Sequence, residues 1–292
     1  MGGYKRLLLL SAGFQLTYSI LEVIVAPMVY SYKSMIIVFV ETSNSIFDKE
    51  ITRVLIALYC SCYGFLMGLL TIQFYYRYLV AYESCSLIKT MMNFKIIIWF
   101  SIPFCCAFLW FFISYYLCHQ TSQANENIRN IFLIDFDTNI DDVIFIGLYL
   151  YQKENDGIEH INIKSIIGII IAIILNMSSM IAIVYFGWKC YWKISSKMLS
   201  GNSLQNQLFY ALFLDCLIPI IVMHIPVVFL YFSCLLEIDF GNGTSCVSFL
   251  VALFPAISPF SPIFIVKNYR AAFINFICCS NKLKNQRGNI DN

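Results

Sequence analysis

The chain has 292 residues, 60% hydrophobic and 17% aromatic, and its 12% charged side chains are about half the charged share of a soluble domain. That composition excludes an ordinary water-soluble protein. Lys and Arg number 19 against 17 Asp and Glu, so there is no basic surplus for nucleic acid, and the chain reads as lipid-embedded.

Six stretches have the roughly 20 mostly apolar residues that a helix needs to cross the hydrocarbon layer. They are 7–30, 54–73, 96–117, 165–187, 208–236 and 246–266. Runs such as Ile169-Ile170-Ile171-Ala172-Ile173-Ile174-Leu175 are apolar without interruption, whereas barrel strands alternate and last only about 10 residues. The predicted fold is therefore an all-α membrane protein, a helical transmembrane bundle with six visible spans. Gln15, Thr17 and Glu22 make the first stretch a poor secretory signal, and it is read as a permanent span.

Orientation is set by Lys and Arg. With the N-terminus, the 77–95 and 189–207 connections and the tail on one face, that face holds 13 basic residues and two acids, and the other holds six basic residues and 13 acids. The basic face is the expected cytoplasmic one. The longest connection, 118–164, then lies outside. Its apolar piece Val143-Ile144-Phe145-Ile146-Gly147-Leu148-Tyr149-Leu150-Tyr151 is too short to cross; it reads as a strand or short helix over the outer mouth, or as a loop with one buried anchor. Residues 267–292 form a cytoplasmic tail that begins as an interfacial helix. In it Cys278 and Cys279 are placed for palmitoylation, and Lys282, Lys284 and Arg287 meet anionic lipid.

Most of the 12 cysteines lie in or beside apolar helices, where Cys packs as a small apolar residue. Cys118, Cys234 and Cys246 stand at outer span ends, so a bridge between two of them is open. The histidines are His119, His160 and His224. With no Cys-x-x-Cys, His-x-x-x-His, Gly-x-Ser-x-Gly, Walker or Gly-x-Gly-x-x-Gly pattern, no metal, cofactor or enzyme activity is predicted. Asn242-Gly243-Thr244 is a glycosylation sequon close to the outer membrane surface. Asn176-Met177-Ser178 falls mid-span and reads as an interhelical hydrogen-bonding Asn.

Glu22 and Asp215 are the acids within spans, each costing about 2.5–3.5 kcal/mol if ionised at a helix centre, so both are expected to face the bundle interior. Glu22 lies in the outer half of its span. It reads equally as a pocket contact or protonation switch and as a carboxyl kept neutral or paired. Asp215, in the inner half, reads as a structural or switching group. Pro219 and Pro226 lie seven residues apart on one helix face, and Pro255, Pro259 and Pro262 come at spacings of four and three, each permitting a bend. Phe74-Tyr75-Tyr76-Arg77-Tyr78 ends the second span. Its plain reading is an aromatic belt with a positive anchor, and its sharper reading makes Arg77 a latch.

With these residues in view, the chain resembles the nematode serpentine chemoreceptors of the Str type, seven-transmembrane receptors acting through heterotrimeric G proteins. Gly3-Tyr4-Lys5-Arg6-Leu7 is similar to the family's loop before its second helix, and the 74–78 segment to the Phe-x-Tyr-Arg-Tyr that ends its third. Leu204-Gln205-Asn206-Gln207-Leu208-Phe209-Tyr210-Ala211-Leu212, with Ile218-Pro219 and Pro226, resembles its sixth helix. Pro255-Ala256-Ile257-Ser258-Pro259 and Ile265-Val266-Lys267-Asn268-Tyr269-Arg270 resemble its seventh helix and the segment after it. The six spans then correspond to helices two to seven, with the first expected before Gly3. Ser258 stands where the family usually has Asp, and Asp215 where Gln is common; both fall at expected switching contacts.

The resemblance implies a chemosensory, olfactory-type receptor in the plasma membrane of sensory cilia. A small odorant or soluble cue, with Glu22 as the pocket candidate, shifts an equilibrium between two helix arrangements. The inner ends of the spans carrying Arg77 and Gln205 part, and a heterotrimeric G protein docks at Arg77, Tyr76 and Tyr78 within a basic rim of Lys189, Lys193 and Lys197. One rival is a six-span channel or transporter subunit, although the sequence has no Arg or Lys ladder, filter loop or chain of intramembrane acids. Another is a truncated, non-signalling receptor remnant.

Overall fold

The computed structural model describes residues 2–42, 45–82, 96–118, 128–129, 132–153, 159–198 and 203–258, together with 260, 270–271 and 274–275. Helix α1 (Gly2–Val25) ends before the predicted limit of 30. Ala26 turns into the left-handed region at φ 44°, and Pro27 has no N–H with which to continue the ladder. Beyond this break the chain extends as strand β1 (Met28–Tyr32) and turns back into β2 (Met35–Glu41). Helix α2 (Lys49–Ala81) is 33 residues long, about 50 Å at 1.5 Å per residue, and so projects beyond the hydrocarbon layer.

Helix α3 (Ile96–Phe112) runs into a wider π-helical turn, Ile113–Leu117. Strand β3 (Val143–Tyr149) takes up most of the apolar piece in the long connection, and the short β4 (Tyr151–Lys153) and β5 (Glu159–Ile161) pair with each other. Helix α4 (Ile163–Met198) is next. Then α5 (Ser203–Pro219) and α6 (Ile225–Leu235) are joined through a second π-helical turn, Ile220–His224. Helix α7 is Ser245–Ile257. Four helical stretches among the described residues are long and apolar enough to cross a membrane: Lys49–Ala81, Trp99–Leu117, Ile163–Ser195 and Phe213–Leu235. Leu9–Val25 and Ser245–Ile257 are apolar but shorter.

Helix α2 is the axis of the bundle, with α1, α3 and α4 packed against it. Gly64 and Gly68, one turn apart, let α3 approach. A Cβ on Gly68 would stand 2.7 Å from the Pro103 Cα, and one on Gly64 would run into the Trp110 ring. This is small-xxx-small packing, in which bare backbone replaces side chains at a membrane helix interface.

Strands β1, β2 and β3 form one antiparallel sheet in that order, with Tyr30 opposite Ile37 and Phe39 opposite Phe145. The pleat sends alternate residues to opposite faces. Ile36, Val40, Ile144, Ile146 and Leu148 join the main helical core. Tyr30, Ile37, Phe39 and Phe145 join a separate cluster with Phe132 and Ile140. The sheet thus caps one end of the bundle, here the sheet end, and carries its own small core on its far side. The free edge of β1 is covered: Val29 N–H donates to the Ser248 hydroxyl (3.0 Å) and Ser31 N–H to the Thr244 hydroxyl (3.1 Å).

Candidate functional site

Below the sheet lies a cavity of about 110 Å³. Its wall is aromatic: Tyr18 from α1, Tyr59 and Tyr63 from α2, Trp110 from α3 and Tyr231 from α6, with Val251 from α7. Val38, Ile146 and Leu148 of the sheet roof it. Tyr18 and Tyr59 stack at 5.2 Å, and Tyr63 meets Trp110 edge-on at 5.1 Å, so the rings hold one another in place. Among the described residues, no charged side chain lines this space. Glu22, the acid expected near a pocket, lies one helical turn beyond Tyr18 and is not among the residues that line the cavity; its Oε2 is buried without a hydrogen-bond partner.

Tyr63 begins a chain of polar contacts that leads away from the cavity. Its hydroxyl accepts from Asn176 Nδ2 on α4 (2.7 Å) and donates to the Met223 carbonyl (3.2 Å) in the π-helical turn. One residue on, His224 is fully buried. The Pro219 carbonyl can only accept, so the His224 Nδ1 facing it at 3.0 Å carries a proton, leaving Nε2 for the Ser179 hydroxyl at 3.2 Å. Ser179 also meets the Thr71 hydroxyl (3.1 Å) and the Met67 carbonyl (3.2 Å), which returns the network to α2. These groups tie three helices together around a turn set between Pro219 and Pro226, where proline has removed a ladder N–H.

At the opposite end of the bundle, Arg77 of α2 donates from its NH2 group to Asp215 Oδ2 of α5 at 2.7 Å, and the two side chains are 17% and 15% exposed. The Phe74 ring lies 5.3 Å under the guanidinium. An ion pair this enclosed resists salt screening, and removing one partner leaves a costly lone charge. Asp215 is one turn from Pro219, so its position depends on the path of the backbone through the π-helical turn.

The remaining predicted residues are dispersed. Tyr76 is 8% exposed and packs with Leu7, Leu69 and Leu79 between α1 and α2, while Tyr78 stacks near Tyr75 and Phe186. Lys189 stands over the Tyr185 ring and Lys193 over Tyr82; the side chain of Lys197 lies outside the described residues. Pro255 is within α7, and Ser258 just past it accepts from Gln15 Nε2 of α1 at 3.4 Å. Pro226 opens α6. Pro259, Cys278, Cys279 and the side chain of Asn242 lie outside the described residues. Cys118, Cys234 and Cys246 are free thiols. No group of three or more His, Cys, Asp or Glu side chains gathers into a metal site among the described residues.

Asn176 makes the interhelical hydrogen bond read from the sequence, whereas the cavity aromatics, Ser179 and His224 were not separable from packing residues, apart from two signals. Asn176 and His224 are polar groups in the middle of apolar spans. Tyr18 and Glu22, like Tyr59 and Tyr63, sit at the i,i+4 spacing of one helix face.

Helices long and apolar enough to cross a membrane, an aromatic cavity at one end and a partly buried ion pair joining two helices at the other are parts expected of a receptor bundle. The chain belongs to the Str family of serpentine seven-transmembrane chemoreceptors, whose family model, described as "Serpentine type 7TM GPCR chemoreceptor Str", matches residues 1–274. It is 31% identical to the G-protein coupled receptor str-217 of Caenorhabditis elegans over 287 residues, 96% of this chain and 82% of that protein. It is 24% identical to the serpentine receptor class r-10 of the same species, over 95% of this chain and 82% of that one. The G-protein coupled receptor str-33, also of C. elegans, is 23% identical over 93% and 80% respectively. No solved structure matches. The protein is a multi-pass membrane protein of a receptor family.

Proposed function

We propose that the chain is a chemosensory receptor in which a small molecule in the sheet-end cavity governs a G-protein site at the Arg77 end. The observation that carries this reading is the Arg77–Asp215 pair, which ties α2 to α5 opposite the cavity. The polar chain from Tyr63 to His224 and Pro219 supplies physical continuity between the two. In the latched state α2 and α5 stay together. A cue with greater affinity for the parted arrangement moves the population toward it, and one binding both arrangements equally moves nothing. Once released, Arg77 presents its guanidinium to the G protein, with Lys189, Lys193 and Lys197 as a basic rim. The excess of Lys and Arg on that face favours the cytosol for the Arg77 end. By family likeness the receptor resides in the plasma membrane of sensory cilia, and Cys278 and Cys279 are candidate lipid anchors.

The test is Arg77→Ala, measured as cue-evoked nucleotide exchange on a heterotrimeric G protein in cells matched for surface receptor. The evoked signal should disappear; undiminished exchange would refute the assignment.

A further inference from the structure

We infer that the ends of α2, α3 and α4 on the basic face form a groove for an anionic phospholipid, with aromatic rings against its glycerol and upper acyl chains and Lys189 and Lys193 on its headgroup. The inference rests on the basic face being the cytoplasmic one and not on the receptor reading. Rings join the three helices there. Tyr75 of α2 stacks on Trp99 of α3 at 4.9 Å and meets Phe186 of α4 edge-on at 5.2 Å, and Tyr78, one turn further along α2, packs on both Phe186 (5.5 Å) and Tyr82 (4.7 Å). Lys189 Nζ lies 5.8 Å from the centre of the Tyr185 ring, and Lys193 Nζ lies 5.4 Å from that of Tyr82. Both are within the roughly 6 Å at which a ring face attracts a cation, so two flexible side chains hold their charges at defined places.

Depth matches a headgroup. The apolar stretches of α2 and α4 end at 73 and 187, so the rings straddle the hydrocarbon boundary and the lysines lie just past it. Both helices run toward this side, and helical side chains tilt toward the helix N-terminus, so rings and ammonium groups lean back toward the bilayer. The hydroxyls of Tyr75, Tyr78, Tyr82 and Tyr185 make no hydrogen bond to another described residue, and Tyr82 and Tyr185 are 38% and 53% exposed. A phenol offers an apolar face and a polar tip, which suits the join between acyl chain and headgroup. Charge selects the lipid. This face holds 13 basic residues and two acids, and each lysine near an anionic surface favours binding by about fivefold, an advantage that a zwitterionic headgroup lacks.

The experiment uses the full chain in phosphatidylcholine nanodiscs with increasing amounts of phosphatidylserine or phosphatidylcholine brominated near the top of the acyl chain, read by tryptophan fluorescence. Bromine quenches an indole that it touches, and Trp99, Trp188 and Trp192, three of the four tryptophans, stand at this end of the bundle. Brominated phosphatidylserine should reach half of its quenching at a mole fraction about five- to twentyfold below that of brominated phosphatidylcholine. Lys189→Gln combined with Lys193→Gln should abolish the difference, and Lys189→Arg combined with Lys193→Arg should keep it. Lys5→Gln combined with Arg6→Gln takes the same charge from α1 on the same face, and should also keep it.

Equal quenching by the two lipids, a preference that survives the Gln pair, or one lost in the Arg pair or equally in the α1 pair would each overturn the inference. Survival in the Gln pair would leave the two lysines to a protein partner, and equal loss in the α1 pair would reduce the preference to diffuse surface charge. Neither cue nor G protein is present, so the result is the same whether the receptor reading holds or fails.

Discussion

On the latch reading, Asp215 sets the resting state with one side chain. A hydrogen bond between charged groups in a partly buried site contributes about 1.5–3 kcal/mol, and each 1.4 kcal/mol is tenfold in a population ratio. Asp215→Asn keeps the shape of the side chain but removes its charge. It should therefore raise basal nucleotide exchange by about tenfold at equal surface level, whereas a purely structural Asp215 would only lower surface expression. Tyr30 acts at the other end. Its hydroxyl donates to Asp135 Oδ2, and burial first, then that acceptor and its charge, hold the phenol well above the ordinary tyrosine range. The folded form therefore keeps a proton that the unfolded chain gives up near pH 10, so the contribution is complete below that pH and lost as pH rises toward the folded value. Tyr30→Phe should speed hydrogen exchange in β1 and in residues 132–136 at neutral pH while leaving α2 unchanged. Uniform acceleration across the bundle would show that the sheet is not a separate unit.

Among the elements, the π-helical turn Ile220–His224 is the piece best suited to two arrangements, since a π turn holds one residue more than the α-helix it interrupts. Resolving it would turn α5 by about 100°, one residue of a 3.6-residue helix, and carry Asp215 away from Arg77. His224→Ala strips the Pro219 carbonyl and Ser179 hydroxyl of a partner. The expectation is that thermal stabilisation by a bound cue persists while evoked exchange is lost; loss of both would place His224 in the binding site instead. The two prolines at 219 and 226 mark this element in the sequence, but that the helix widens between them depends on Tyr63, Asn176 and Ser179, contributed from α2 and α4. Strand β3 was legible as an apolar piece too short to span. Strand β1 was not, because Met28-Val29-Tyr30 continues the apolar run of α1 and a hydropathy window cannot see the break at Ala26-Pro27.

At the scale of the whole molecule, composition and span length fixed the class, and the mid-span acids pointed at Asp215, but not at its partner. Arg77 and Asp215 are 138 residues apart, and only the packing of α5 beside α2 makes them neighbours. The cavity was illegible for a different reason: aromatic residues make up 17% of the chain, so no single ring stands out. The α2–α3 contact tests the architecture directly. Gly68→Leu drives a side chain into the Pro103 backbone and should cost at least about 1–3 kcal/mol, seen as a lower thermal midpoint in detergent. Gly13→Ala, where a Cβ meets nothing within 4 Å, should leave the midpoint unchanged or slightly raised. Thr244 carries a consequence for biosynthesis. Its hydroxyl is shut in, receiving Ser31 N–H and bonding the Gly241 carbonyl at 2.7 Å, yet it is also the third residue of the Asn242 acceptor sequence. An oligosaccharyltransferase can read that sequence only in a nascent chain whose first hairpin is still undocked. If Asn242 is glycosylated, docking of the hairpin and sugar attachment compete for the Thr244 hydroxyl, and the glycosylated fraction in a pulse–chase reports how soon the sheet closes over the bundle.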